Sequence, residues 1–271
     1  MATTTRDGVK LHYERHGEAG DPLLLVMGLG GSLDFWEFQT PVLARHHQVC
    51  VYDNRGVGHS DKPAGPYDVH TLADDAIAVM DACGFARAHV LGLSMGGMIA
   101  QDLAVRYSDR VGSMVLAATY ARPDEDARKM GAAPALDAKI IEPKQMFKLL
   151  MSMVLSPEFI ARERTWLHAT RERMLATFTV EGFIAQLAAV MAHDASADLG
   201  RITAPTLVLK PSADKLIPPR ASDELAAMIP GATLQTFDHA THGFNVEQPD
   251  KFNRAALDFF ASHPLADASR F

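Results

Sequence analysis

The sequence predicts an α/β fold in which a mainly parallel central sheet is covered by helices on both faces. Short apolar runs recur along the chain without polar alternation, as is typical of strands buried on both faces. Turns containing glycine or asparagine end the first two runs, and stretches with helical spacing of apolar residues separate several of the later ones. Because parallel strands need crossover connections, this alternation favours a parallel sheet.

The individual elements can be placed in chain order. Residues 7–16 alternate in polarity and predict a leading antiparallel strand. Six further short runs, most of them apolar without alternation, predict the other strands: Leu23–Met27, Gln48–Asp53, His89–Leu93, Met114–Ala118, Thr206–Lys210 and Thr233–Phe237. Apolar residues at helical spacing predict four helices: Leu72–Cys83, which Gly84 closes, Met95–Arg106, Ala221–Met228 and Asp250–Ala261.

The segment from Tyr120 to Asp198 differs from the rest, because it is predicted to be helical throughout. It is also rich in methionine, at Met146, Met151, Met153, Met174 and Met191. A helical excursion of this length between two strands is typical of a lid or cap. We therefore predict a core domain of residues 1–119 and 199–271 with a helical cap insert over residues 120–198. The simplest interpretation of any one Met or Phe in the insert is packing against the core.

Composition and charge exclude several classes of protein. The 271 residues are 48% hydrophobic, so the chain is neither disordered nor a collagen-like or disulfide scaffold. The net charge of −7 argues against nucleic-acid or anionic-membrane partners, which select for clustered Lys and Arg. The N-terminus is polar, and the longest apolar stretches have about ten residues where ~18 would span a bilayer. We predict a cytoplasmic protein, either monomer or homodimer.

The most informative stretch is His89–Met98, which has the pattern strand, Gly-x-Ser-x-Gly, helix. In such a sharp turn Ser94 is held in strained backbone geometry with its hydroxyl exposed. Glycine is needed at positions 92 and 96 because a Cβ there would collide with the neighbouring chain. The helix beginning at Met95 directs its free N–H groups at the same place. This pattern predicts a nucleophilic serine, and we call the turn at Ser94 the elbow.

A serine nucleophile needs a base, and the base needs an acid that orients it. For this motif the acid follows a later strand and the histidine comes last in the chain. Asp214 lies in the loop after the strand Thr206–Lys210 and is the predicted acid. His239 and His242 both follow the next strand and compete for the role of base.

Outside the insert, nearly the whole chain resembles an α/β-hydrolase-fold enzyme of the serine-nucleophile branch. The matching motifs are residues 26–32 with Trp36 downstream, residues 52–60 with Pro63, the turn at Ser94, the loop ending in Asp214, and His242 five residues before Glu247. In that family the histidine stands at this distance before a Glu-x-Pro, so the resemblance favours His242 over His239. It also implies that backbone N–H groups of Leu29 and Met95 form the oxyanion hole.

Several chemistries of this family remain open. The elbow serine excludes the relatives with an aspartate nucleophile, and the Met-rich insert favours a carboxylic ester hydrolase with partly apolar small-molecule substrates. The runner-up is an enol-lactonase of the 3-oxoadipate type, which would need an arginine in its pocket. Perhydrolase or haloperoxidase-like activity and a ligand receptor without turnover are further alternatives. The candidate pocket arginines are Arg122, Arg128, Arg162 and Arg173.

No cofactor or metal is predicted. The twelve histidines form none of the spacings that hold a metal, and the pair His46-His47 is expected to be exposed. Asp53 and Arg55 lie in a glycine-containing turn that lacks the spacing of a phosphate loop. They are interpreted as an internal ion pair or as turn caps. Cys50 and Cys83 are predicted to be small core residues.

Overall fold

A single eight-stranded sheet organises the chain, for which a computed structural model describes residues 2–123 and 142–265. The strand order is β1-β2-β4-β3-β5-β6-β7-β8, and all pairs from β4 to β8 are parallel. The strands are Ala2–Arg6 (β1), Val9–His16 (β2), Pro22–Val26 (β3), Gln48–Tyr52 (β4), Ala88–Leu93 (β5), Val111–Ala117 (β6), Thr206–Pro211 (β7) and Thr233–Phe237 (β8). The predicted mainly parallel α/β fold is confirmed.

Apolar residues occupy both faces of the central strands, which explains why these strands show no polar alternation. In β3, Leu23 and Leu25 belong to one core cluster, whereas Leu24 and Val26 belong to the other. Helices cover each cluster, so every residue of such a strand is removed from water. Burial on both sides is the main stabilisation of these strands, at about 25 cal/mol per Å² of apolar surface.

Ten α-helices lie in the described ranges. Those of the core are Thr40–Leu43 (α1), Val69–Ala82 (α2), Met95–Arg106 (α3), Arg220–Met228 (α8), Phe244–Glu247 (α9) and Pro249–Ala261 (α10). Helices α2, α3 and α8 pack on one face of the sheet, and α1 and α10 pack on the other. Helix α2 begins three residues before its predicted start, because the Asp68 carboxylate caps it by accepting a 2.6 Å hydrogen bond from the Thr71 N–H.

Four helices stand between β6 and β7, where the insert was predicted, and we call them the helical insert. They are Pro143–Val154 (α4), Pro157–Arg162 (α5), Arg164–Thr177 (α6) and Val180–Ala192 (α7). Residues 124–141 lie outside the described residues, and the domain boundaries at 120 and 198 stay a prediction. No single helix in the described ranges is long and apolar enough to cross a membrane; α6 and α7, bent by 97°, pass that test only as a pair.

Hydrogen bonds connect the helical insert to the segment of the core that follows the last strand, β8. The Gly243 N–H donates to the Val154 carbonyl at 2.7 Å, and the Glu247 carboxylate accepts from the Ser156 N–H at 2.5 Å. The junction of α4 and α5 is therefore bonded to the segment that follows His242. This places the insert directly above the carboxyl ends of the parallel strands, where open α/β sheets bind their ligands.

One prediction about surface histidines is wrong. His46 is exposed, as expected, but His47 is buried and packs edge-on against His89 and Phe260. The His47 Nδ1 atom lies 3.1 Å from the Asp21 carbonyl, which satisfies its polar edge. Burial lowers the pKa of His47.

Candidate active site

Ser94 occupies the single residue between the end of β5 and the start of α3. Its backbone has φ 57° and ψ −121°, a conformation that residues other than glycine rarely adopt. The Ser94 N–H donates to the Ala117 carbonyl at 2.9 Å, which ties the turn to the adjacent strand β6. Such strain persists only when the surroundings enforce it, and it is typical of functional positions.

The two glycines of the motif allow the chain to turn this sharply. A Cβ on Gly92 would lie 2.3 Å from the Gly96 carbonyl oxygen, and a Cβ on Gly96 would lie 1.9 Å from the Val26 carbonyl oxygen. Both contacts are with backbone atoms, which cannot move aside as a flexible side chain can. Glycine is therefore required at both positions for steric reasons, as the sequence predicts.

His242 and Asp214 meet above the ends of β8 and β7. The His242 Nδ1 atom lies 2.7 Å from the Asp214 Oδ2 atom, and their side chains are 6% and 1% exposed. The other carboxylate oxygen of Asp214 accepts hydrogen bonds from the N–H groups of Leu216 and Ile217 at 2.8 and 2.9 Å. The carboxylate is thus fixed, and the bond to Nδ1 leaves the Nε2 atom of His242 as the free ring nitrogen.

His239, the competing histidine, lies elsewhere. Its side chain is exposed, its φ is 57°, and its N–H donates to the Ser212 hydroxyl at 2.8 Å. It does not line the cavity described below, whereas His242 and Ser94 both do. The structure brings together Ser94, His242 and Asp214 at the carboxyl end of the sheet and leaves His239 on the surface.

The loop after β3 passes next to Ser94. A Cβ on Gly28 would lie 3.0 Å from the Ser94 Cβ, so the two backbones approach as closely as glycine permits. Leu29 follows and lines the same cavity. Among the described residues no acceptor takes the Leu29 N–H or the N–H of Met95, the first residue of α3. The two predicted oxyanion donors are therefore available in this region.

Neighbouring polar side chains hold this loop in place. The Asn54 amide donates to the Met27 carbonyl at 3.1 Å. The Asp53 carboxylate accepts from the Leu33 and His59 N–H groups, at 2.8 Å each, and burial raises its pKa in spite of these donors. Asp53 is thus a cap for two turns, which is one of the two interpretations made from the sequence.

Arg55 is not the ion-pair partner of Asp53. Its guanidinium makes a bidentate pair with Asp75 on α2, with N···O distances of 2.5 and 2.6 Å. Both side chains are buried, so the pair anchors the loop after β4 to α2. The interpretation of Asp53 and Arg55 as a pair with each other is wrong, because a carboxylate 20 residues further along the chain takes the guanidinium.

A cavity of about 200 Å³ opens over Ser94 and His242. Its walls are almost entirely apolar, and methionine and leucine are the two commonest residue types, with equal numbers of each. The methionines are Met27, Met98, Met151, Met153, Met174 and Met191. Of the five methionines singled out in the insert, only Met146 does not line the cavity; it is buried beside Phe183 and Leu187. The aromatic wall residues Trp166 and Phe183 also come from the helical insert, and helical periodicity alone did not distinguish them from core residues.

No lysine or arginine of the described residues lines this cavity. Arg162 pairs with Glu163 at 2.8 Å, Arg173 with Glu37 at 3.2 Å, and Arg122 is exposed. The fourth candidate, Arg128, lies outside the described residues. The three described arginines that were candidates for binding a carboxylated substrate therefore form ion pairs with other residues or lie outside the cavity. In the same ranges no three His, Cys, Asp or Glu side chains lie close enough together to hold a metal ion.

Comparison with known proteins agrees with this architecture. A family model described as alpha/beta hydrolase fold matches residues 21–249. A Caulobacter vibrioides protein named "Putative carbamate hydrolase RutD" is 35% identical over 96% of this chain and 97% of its own length. The crystal structure of the enol-lactonase from Burkholderia xenovorans LB400 superposes with a TM-score of 0.90, at 30% identity, covering 96% of this chain and 100% of that one.

A further solved structure carries a related activity in its name. Est816, described as an N-acyl homoserine lactone degrading enzyme, superposes with a TM-score of 0.83 at 29% identity and covers 95% of this chain and 100% of its own. The family match spans most of the chain, and the sheet, the elbow turn and the His–Asp pair have the arrangement that this fold uses for hydrolysis. The chain therefore belongs to the α/β-hydrolase family and is a hydrolase.

Proposed function

We propose that this protein hydrolyses carboxylic esters of small to medium, partly apolar molecules by a serine acyl-enzyme mechanism. The observation that carries the proposal is that Ser94, strained at the end of β5, shares an apolar cavity with His242, which Asp214 orients at 2.7 Å. A serine with a histidine base, an orienting carboxylate and nearby backbone donors is the set of groups that acyl transfer needs.

In the first step the Ser94 oxygen bonds to the ester carbonyl carbon while His242 Nε2 takes the hydroxyl proton. The carbonyl electron pair moves onto the oxygen, which the N–H groups of Leu29 and Met95 stabilise. Asp214 stabilises the imidazolium. As the intermediate collapses, the C–O bond to the alcohol breaks and the imidazolium protonates the leaving oxygen. Water, deprotonated by His242, then attacks the acyl-enzyme and releases the acid with regeneration of Ser94.

The cavity supports an uncharged substrate with an apolar group. Methionine side chains are flexible and polarizable, so they adapt to acyl or alcohol chains of different shape. Carbamate, the compound in the name of the RutD relatives, would as the free ion fill little of a cavity of about 200 Å³. It would also meet no cation among the described wall residues. These two points favour esters over carbamate.

The helical insert is proposed to act as a cap on the core domain. Its helices supply the outer wall of the cavity, including Met153 from α4, Trp166 from α6 and Met191 from α7. The core domain, proposed as residues 1–119 and 199–271, supplies the groups assigned to the chemistry. In this division the cap, proposed as residues 120–198, selects the substrate.

Lactone hydrolysis is the second candidate, and the same acyl transfer would open the ring. The apolar wall, free of described cations, favours an uncharged lactone with an acyl chain over a carboxylated enol-lactone. An N-acyl homoserine lactone, the compound named for Est816, has that chemistry. If this activity exceeded ester cleavage by tenfold or more in kcat/KM, the lactone would replace the ester as the assigned substrate class.

The first experiment is hydrolysis of 4-nitrophenyl esters from acetate to decanoate, with the wild type beside Ser94→Ala. We expect Ser94→Ala to lower kcat by roughly 10³-fold or more. Ser262→Ala, at an exposed serine of the α10 C-terminus, is the matched control and should keep the wild-type rate. The chain length with the highest kcat/KM then measures the size of the acyl site.

The two histidines give a second matched pair. We expect His242→Ala to approach the loss in Ser94→Ala and His239→Ala to stay within about twofold of the wild type. Equal losses in both histidine variants would contradict the choice of His242. If the wild type turned over none of the esters or lactones but bound one of them stoichiometrically, the receptor alternative would replace hydrolysis of these substrates.

A further inference from the structure

A fully buried amide of the helical insert connects two loops of the core. The Gln186 side chain on α7 has no exposed surface. Its oxygen accepts a 2.9 Å hydrogen bond from the Gly30 N–H, and its nitrogen donates at 2.7 Å to the Arg55 carbonyl. Gly30 directly follows Leu29, whose N–H is assigned to the oxyanion hole. The amide thus joins the oxyanion loop, residues 28–31, to the loop after β4.

Close backbone contacts fix α7 against both loops. A Cβ on Gly182 would lie 2.1 Å from the Gly56 carbonyl oxygen, so glycine is needed where α7 crosses the loop after β4. The Tyr67 N–H donates to the Ala185 carbonyl at 3.1 Å, one residue before Gln186. Since the helix cannot shift along these contacts, the position of the Gln186 amide is set by the core.

The polarity of Gln186 has no other use in this environment. Its neighbours Phe183, Leu187 and Val190 are apolar and line the cavity. An apolar residue at position 186 would leave the Gly30 N–H and the Arg55 carbonyl without these partners. Both groups are backbone groups in buried surroundings, where nearly all such groups are paired. The glutamine therefore provides hydrogen-bond partners for backbone groups of two loops at the same time.

Gly30 is the part of the oxyanion loop that most needs a restraint. Its φ is 71°, and glycine at such a position has access to many other conformations. The bond from its N–H to Gln186 fixes the peptide plane that connects Leu29 to Gly30, and so restricts the torsions on either side of it. A change there would displace the Leu29 N–H, although Gln186 itself does not line the cavity.

We infer that Gln186 is a positioning residue for ester hydrolysis: it holds the oxyanion loop in its working geometry from the helical insert. The inference rests on the proposed function, because it gives a purpose to the Leu29 N–H. It also implies that α7 is a fixed wall of the site, since its backbone and its buried amide are both bonded to the core.

The test compares Gln186→Met with Gln101→Met. Gln101, on α3, is also fully buried and also donates to a backbone carbonyl, that of Tyr120 at 3.0 Å. It makes no hydrogen bond to the oxyanion loop, so it controls for the loss of a buried amide. The measurements are kcat and KM on the best 4-nitrophenyl ester, the inhibition constant of an alkyl trifluoromethyl ketone, and the thermal midpoint. The ketone adds to a serine oxygen and forms a tetrahedral oxyanion, so its affinity reports the oxyanion hole.

We expect Gln186→Met to lower kcat about tenfold to hundredfold with KM within about twofold. The inhibition constant of the trifluoromethyl ketone should rise by a similar factor, because misplaced donors stabilise the oxyanion less. Gln101→Met should lower the thermal midpoint comparably and leave kcat and the inhibition constant within about twofold. A folded Gln186→Met with wild-type kcat and ketone affinity would overturn the inference, as would equal kcat losses in both variants.

Ser94→Ala separates this inference from the proposed function. If Ser94→Ala abolishes turnover and Gln186→Met does not reduce it, the positioning role alone fails. If Ser94→Ala keeps the wild-type turnover, the serine mechanism is contradicted, and so is the positioning role of Gln186, which depends on it. Where Gln186→Met is too unstable to assay at 25 °C, Gln186→Glu is measured instead. It keeps an acceptor for the Gly30 N–H, so kcat and the ketone inhibition constant should stay within about threefold of the wild type, and a tenfold or greater loss of both in the folded variant would overturn the inference.

Discussion

Acid should destabilise the fold through a histidine far from the proposed chemistry. His89 lies in β5 with no exposed surface; its Nδ1 atom is 2.8 Å from the Ser113 hydroxyl, and its ring stacks on Phe260 at 4.9 Å. Burial lowers the pKa of His89 from 6.5 to about 4. The Asp21 carboxylate, 3.5 Å from Nε2, only partly opposes this shift, and the neighbouring His47 adds to it.

The sign and size of the effect follow from proton linkage. Between pH 6.5 and about 4 the unfolded chain binds a proton at this position and the folded chain does not, so stability falls as the pH falls. From pH 7 to pH 5 the loss is about 2 kcal/mol for this one group. Since domains of this kind are stable by about 5–15 kcal/mol in total, the loss is large enough to measure.

The assay is urea unfolding of the wild type and His89→Asn at pH 7 and pH 5. Asparagine keeps a polar atom toward Ser113 but has no proton to bind, so the wild type should lose about 2 kcal/mol more than the variant over this interval. His46→Asn, at the exposed histidine nearby, should follow the wild type. The other titrating groups are shared by the wild type and the variants, and those that do not contact His89 cancel in the comparison. Equal losses in the wild type and His89→Asn would refute the reasoning.

Three further predictions test the elbow turn, the buried ion pair and the cavity. Gly96→Ala would place a Cβ 1.9 Å from a backbone oxygen and should lower the free energy of unfolding by more than about 4 kcal/mol, seen as a lower thermal midpoint or loss of soluble protein. Gly84→Ala, where the added Cβ has no atom within 4 Å, should lower it by only ~1–2 kcal/mol. Arg55→Leu should lower the free energy of urea unfolding by about 3–5 kcal/mol, and adding Asp75→Leu should recover most of that loss. If the losses of the two single variants instead add up in the double variant, the two side chains are not a coupled pair. Met153→Trp should move the chain-length optimum of ester hydrolysis to shorter acyl groups, and an unchanged optimum would show that Met153 does not bound the acyl site.

The parallel strands were predictable because their signal is local. Those in the middle of the sheet are short apolar runs buried on both faces. The structure contains all six strands that the sequence predicts, including the largely exposed β8. The missed strand is β1, which is polar and lies largely exposed at the edge of the sheet. Its signal was the turn Asp7-Gly8, where both residues have positive φ and join β1 to β2 in a two-residue hairpin. A polar edge strand has no hydrophobic pattern, so only turn chemistry reveals it.

The partners of charged side chains were much less predictable. Arg55 pairs with Asp75 and Arg173 with Glu37, and neither partner is close in the chain. Such pairs depend on which elements the fold brings together, and a long side chain offers no periodic signal of its direction. The same reason explains why His47 was expected to be exposed: a neighbouring histidine is exposed, and only the packing of Phe260 against the sheet distinguishes the two.

The candidate residues of the chemistry and those of the cavity differ in the same way. Ser94, Asp214 and His242 sit in turns whose position after a strand can be read along the chain, and the structure places all three at the same end of the sheet. The cavity wall is built from helices of the insert, where an apolar residue at helical spacing faces either the core or the cavity. Sequence periodicity is the same in both cases, so the fold was needed to separate them.

The structure also indicates where substrate preference can change without loss of rate. Helix α7 supplies both wall residues, such as Leu187, and the amide of Gln186, which is bonded to the proposed oxyanion loop. A substitution that repacks α7 would therefore alter the cavity and the reaction rate together. Helix α4 supplies Leu150 and Met153 to the same cavity, and its bond to the core lies at its C-terminal end, where the Val154 carbonyl accepts from the Gly243 N–H next to His242. Changes of acyl-chain preference should accordingly be separable from changes in kcat at Leu150, one turn before that bond, but not on α7.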